Sequence, residues 1–131
     1  MTMTDASSRD LPFETALYES VLARDSDNVE ALIALGEACT RQGAYARGLE
    51  VDQKLARLRP SDPVVRYNLA CSLALLQRPD EAFEALSQAV DLGYRDLGHL
   101  DSDADLASLR EDPRFGALRD RILKAVPSRS V

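Results

Sequence analysis

The chain of 131 residues has no tryptophan, three phenylalanines and four tyrosines. Its core must therefore be built mainly from Leu and Ala, a composition that suits closely packed helices. Cysteine is scarce: there are two, Cys39 and Cys71, and no Cys-x-x-Cys. A small disulfide scaffold would carry more, set in loops, so both are read as reduced, small apolar core residues. The single histidine, His99, has no Cys or His companion at metal-ligand spacing, and no metal site is expected. It also lacks a Ser or Cys partner with a local signature, which leaves nucleophilic catalysis unsupported. No Gly-x-Gly-x-x-Gly or phosphate loop occurs, and no cofactor is expected. No run approaches the ~20 apolar residues of a membrane span. Residues 1–10 are polar and have no apolar core of the secretory kind, so the expected compartment is the cytoplasm and no membrane contact is expected. Lysine is nearly missing, with only Lys54 and Lys124, and the net charge is −6 with a pI near 4.7. A nucleic-acid binder would need a basic face, so no nucleic-acid partner is expected.

What the chain does have is helical periodicity, strongest between Pro63 and Leu92. One apolar stripe holds Val64, Tyr67, Leu69, Ala70, Leu73, Ala74 and Leu76; a second holds Ala82, Phe83, Leu86, Ala89, Val90 and Leu92. Gln77-Arg78-Pro79-Asp80 between them is too short for anything but antiparallel neighbours. Ala70, Ala82 and Ala89 permit close approach of the two backbones, and Leu69 and Leu86 supply bulk. One hairpin cannot bury both stripes, so it needs like neighbours.

Shifting by 34 residues supplies one. Leu69-Ala70 falls on Leu35-Gly36, Leu73 on Cys39, Ala82 on Gly48, Ala89 on Leu55 and Asp62 on Asn28. The first unit reads Leu32-x-x-Leu35-Gly36-x-x-Cys39, then Gly43-Ala44-Tyr45, Gly48 and Pro60. The pattern, over roughly residues 11–93, resembles the tetratricopeptide repeat. It departs at Asp52, where the second helix of a repeat usually has an aromatic, at Leu55 and at Arg66. The resemblance implies an all-α fold, a right-handed superhelical stack of antiparallel helix pairs (an α-solenoid) with about seven helices.

In chain order, residues 1–10 are expected to be disordered and 11–125 to form the repeat domain. Its parts are a helix over 12–24, repeats over 29–58 and 63–92, and a degenerate capping repeat over 103–125. The first helix aligns with the second half of a repeat whose first half is missing. Asn28 and Asp62 are helix N-caps, Pro63 opens its helix, and Gly43 is a left-handed terminator. Beyond Gly93 the period fails. A short helix over 103–110 and a last helix over 113–125 are expected, with Phe115, Leu118, Ile122 and Leu123 facing inward. Asp103 through Phe115 resembles the closing segment of many bacterial tetratricopeptide arrays, and a polar end would stop further stacking. Asp101, Asp103 and Asp105 lack the Gly and Glu of a calcium loop and are read as helix caps. Residues 126–131 are a flexible tail.

The resemblance implies a non-catalytic module that holds a peptide or helix of a partner protein in a groove lined by the first helix of each pair. Position by position, that groove would hold Glu30, Ile33, Glu37, Thr40 and Arg41 from one unit. From the next it would take Val64, Tyr67, Asn68, Cys71, Ala74 and Leu75. Tyr67 is expected to carry recognition and Arg41 to place an acidic group. The family's clamp for a C-terminal carboxylate needs basic and Asn side chains where Ile33 and Glu37 stand, so no such tail is expected to bind. A secretion or assembly chaperone is the alternative reading, and self-association is left open.

Overall fold

The computed structural model describes residues 6–125, with side chains from Phe13 onward. The described residues form seven α-helices and one 3₁₀ helix, with no strand among them. They fall into two compact units that meet in sequence at Arg59 and Pro60.

Unit 1 holds α1 (Ala6–Arg24), α2 (Val29–Gln42) and α3 (Tyr45–Leu58). The start of α1 corrects the expected disorder over residues 6–10: the helix begins six residues before Pro12 and continues through it. A proline inside a helix forfeits one backbone donor and crowds the carbonyl four residues back. Residues 1–5 and 126–131, read as disordered or flexible, lie outside the described residues.

The N-terminus of α2 is capped by Asn28, whose Oδ1 accepts from Ala31 N at 2.9 Å. Gly43, at φ 77°, ends it by donating to the carbonyls of its last turn. That conformation is open to glycine at no steric cost and lets α3 fold straight back on α2. At Gly36 the two helices come close: a Cβ there would lie 3.3 Å from Asp52 Oδ1 and 3.5 Å from Val51 Cγ1. Leu32, Leu35, Ala38, Cys39, Leu49 and Leu55 are buried between them. Asp52, at the slot where an aromatic was expected, is buried too. Rows of polar contacts join α1 to the pair: Glu14 to Arg41 at 2.6 Å, Thr15 to Gln42 at 2.6 Å, and Glu19 to Arg47.

Unit 2 holds α4 (Pro63–Leu75), α5 (Pro79–Asp91), α6 (Leu97–Ser102), the 3₁₀ helix (Ala104–Leu109) and α7 (Pro113–Ala125). Asp62 caps α4 by accepting from Val64 N at 2.9 Å, with Pro63 at the first helical position. Gln77, at φ 61°, makes the reversal into α5. Val65 rather than Val64 turns inward on α4, and Leu69 is partly exposed, whereas Leu86 of α5 is fully enclosed.

The segment after Gly93 holds one element more than the sequence suggested. Expected as one short helix over 103–110, it contains α6 and a separate 3₁₀ helix. Leu100, Leu106 and Leu109 from these two turns are each 1% exposed or less. Arg110 staples them together: its Nη2 donates to Asp103 O at 2.7 Å and to Leu100 O at 3.1 Å. Phe115, Leu118 and Ile122 seat α7 as expected, but Leu123 is 52% exposed and faces outward. Arg114 lies over the Phe83 ring at 4.4 Å and pairs with Asp80 at 2.9 Å, fastening α7 to α5.

Candidate functional site

Each unit presents a first-of-pair helix whose outer face was read as ligand-binding. On α2, Glu30, Ile33, Glu37, Thr40 and Arg41 recur at spacings of three and four and share one face. Glu30, Ile33, Glu37 and Arg41 are exposed; Thr40 is partly covered and turns its Oγ1 back to Gly36 O at 3.2 Å. Ile33, at 36% exposure, is the one large apolar side chain of α2 left in solvent. The Arg41 guanidinium, half exposed, pairs with Glu14 of α1 at 2.6 Å.

On α4 the outcome is different. Val64 is 54% exposed, and Asn68 and Leu75 are partly exposed. Tyr67, Cys71 and Ala74 are buried, so these three cannot form an open groove wall. The chain's own C-terminal segment covers Tyr67 and Cys71. The 3₁₀ helix packs on α4, and the Tyr67 hydroxyl donates to Asp103 Oδ2 at 2.7 Å. The Tyr67 ring stacks on Tyr94, with centroids 4.5 Å apart and planes 3° from parallel, and His99 lies at 5.3 Å. A ring 2% exposed, stacked and hydrogen-bonded is a core element.

Asp103 organises this cluster. Its Oδ1 accepts from Asp105 N at 3.0 Å, which is the capping role the sequence suggested. Its Oδ2, besides Tyr67, faces His99 Nε2 at 3.3 Å and Cys71 Sγ at 3.7 Å. Burial, then the Asp103 carboxylate, holds the Tyr67 proton in place and keeps the Cys71 thiol protonated. Burial pushes Tyr94 up to about 12, and burial followed by Asp103 raises Asp105. Sequence reasoning passed over the Tyr67–Asp103 pairing. The available signal was that a buried tyrosine needs an acceptor for its hydroxyl.

Unit 1 also has an open hollow of about 420 Å³ lined by Leu32, Arg47, Glu50, Val51 and Lys54. Its cations are engaged, Arg47 with Glu19 and Lys54 with Asp27 at 3.4 Å and Ser26 O at 2.6 Å.

Paired helices joined by short turns, with small residues where the pairs cross, define a helical-repeat scaffold of the kind used for protein–protein interaction. Residues 14–63 match the family model of the tetratricopeptide repeat. A chloroplastic protein of Arabidopsis thaliana is 30% identical over 82 residues, 60% of this chain. The chain spans 24% of that protein's length. Among solved structures, the MamA RS-1 ArsTM double mutant superposes with a TM-score of 0.72 at 17% identity, covering 91% of this chain and 67% of the other. A crystal structure of MamA gives 0.64 at 19% identity, over 94% and 91% of the two chains. A further MamA mutant gives 0.63 at 26% identity, over 84% and 63%. The match to the tetratricopeptide repeat thus covers residues 14–63, and the described residues have the all-α helical-repeat fold of these solved structures. No helix among the described residues is long and apolar enough to cross a membrane.

Proposed function

We propose that this protein is a non-catalytic scaffold that holds a peptide or helix of a partner protein on the outer face of α2. The observation that carries the reading is Ile33, an apolar side chain left in solvent between Glu30 and Glu37. Such a face suits an amphipathic segment with one apolar anchor over Ile33 and basic side chains toward the two carboxylates. The α4 face contributes little beyond Val64, since Tyr67 and Cys71 are covered from within. This scaffold works in the cytoplasm, a compartment consistent with two buried cysteines that form no disulfide.

A photo-crosslinking residue placed at Ile33, and in a second variant at the exposed Gln53 on α3, tests the proposal in cells of the source organism. A recurrent adduct from position 33, absent from position 53 and lost with Glu37→Arg, is the expected result. Equal labelling from both positions would remove α2 as the binding face.

A further inference from the structure

Helices α1 and α3 hold the same place in the repeat, and their outward faces differ. At the 34-residue offset Phe13, Ala16, Ser20 and Ala23 of α1 fall on Arg47, Glu50, Lys54 and Arg57 of α3. All four positions on α3 are charged, as a helix face turned to water usually is. The four on α1 are all exposed, and none is charged. Phe13 is 71% exposed. Leu17 falls on Val51, which is 7% exposed, yet Leu17 is 51% exposed. The cause is the helix that comes before. Val51 is covered by α2 at the close approach beside Gly36. No helix precedes α1 among the described residues to cover Leu17 in the same way. The acids Glu14 and Glu19 are taken up inside the unit by Arg41 and Arg47. From Phe13 onward the open stripe of α1 is Phe13, Ala16, Leu17, Ser20, Ala23 and Arg24, with one charge at its end.

We infer that this stripe docks on the same stripe of a second copy of the chain, antiparallel, about a two-fold axis between Leu17 and Ser20. A second copy is selected because the stripe is its own complement. Its first half is bulky, with Phe13 and Leu17. Its second half is small, with Ser20 and Ala23, and ends in the cation Arg24. Antiparallel packing sets each bulky half on the other copy's small half, ridges into grooves. In that register Leu17 lies against the partner's Ser20. Phe13 lies against the partner's Arg24, whose guanidinium stacks on the ring face. Each contact occurs twice, as a two-fold axis requires. A parallel pair would set Arg24 beside Arg24, with two like charges together. The stripe is roughly 16 Å long and one helix wide, which places it with interfaces under ~1,200 Å² that make transient complexes. The dimer therefore forms at about 10–100 μM and above. None of Glu30, Ile33 and Glu37 belongs to the stripe, so the α2 reading and this one fail separately.

Sedimentation equilibrium of the full chain, at concentrations bracketing that range, tests the contact. Wild type should pass from monomer to dimer and no further, because a two-fold contact closes on itself. Leu17→Glu, at a side chain already half exposed, should keep its helical circular dichroism and raise the dissociation constant about tenfold or more. Ser20→Lys, at an exposed position, should do the same, and it decides alone if Leu17→Glu does not fold. An equimolar mixture of the two variants should recover the dimer. One of its two central contacts then sets the new carboxylate against the new ammonium, and the other keeps leucine on serine. A wild type that stays monomeric throughout would overturn the proposal. So would a wild type that gains mass only with a different protein, since the stripe would then belong to that partner. A dimer unchanged by both substitutions lies elsewhere on the molecule and overturns it too. Variants that dissociate singly and stay apart when mixed would overturn the antiparallel register.

Discussion

Replacing Tyr67 by phenylalanine removes one oxygen from the interior of unit 2 and leaves the stacked ring in place. The lost group donates to Asp103 Oδ2 at 2.7 Å in a site where the ring is 2% exposed. A hydrogen bond to a charged group contributes ~1.5–3 kcal/mol, so Tyr67→Phe should destabilise by that amount. At roughly 4 °C per kcal/mol for a chain of this size, the melting temperature should fall about 6–12 °C. Tyr67→Ala removes the ring as well and should cost ~3–5 kcal/mol through the cavity beside Tyr94. Urea unfolding followed by circular dichroism measures both. Combining Tyr67→Phe with Asp103→Asn should give a coupling energy of ~1 kcal/mol or more, since the two groups share one bond. A Tyr67→Phe protein within about 0.5 kcal/mol of wild type, with no coupling to Asp103, would refute the reasoning. Full stability in Tyr67→Ala together with lost partner binding would return the ring to an open groove.

Other perturbations follow from the same packing. Leu106 is fully enclosed, and Leu106→Ala should cost ~2–5 kcal/mol in the same urea assay. Gly43→Ala should cost ~1–2 kcal/mol because its φ of 77° strains any Cβ; no neighbour crowds the position, so Gly43→Asn should cost less. Asp62→Ala removes the cap of α4 and should cost ~0.5–2 kcal/mol. The Arg114 side chain, then its backbone N–H, holds the Asp112 carboxyl below its usual range. Its folded pKa is thus below the unfolded one near ~3.9. The stabilisation is complete above that value and is lost as pH falls through the folded one. An acid titration of Arg114→Gln should show a shallower loss of stability than wild type over that window.

Most of the local architecture was legible from residue order. Asn28, Gly43, Asp62 and Pro63 act where their chemistry places them, because caps and turns are decided within a few residues. The 34-residue offset of Leu35-Gly36 onto Leu69-Ala70 found both hairpins. The errors came where two distant segments compete for one face. Val64 and Val65 are equally apolar in sequence, and only packing decides that Val65 goes in. The α2 residues Glu30, Ile33 and Glu37 kept their exposure, while Tyr67, Cys71 and Ala74, at the corresponding kind of position, did not. No local rule separates those outcomes, since what covers α4 lies some 30 residues downstream.

Helix positions, their ends and the repeat period belong to the order of residues alone, since 3.6-residue periodicity and capping are properties of short windows of chain. Whether a helix face stays open or is closed belongs to the tertiary structure. A carboxylate at Asp103 reaches a phenol at Tyr67 only after the chain has turned back on itself, and burial then makes that one contact worth keeping.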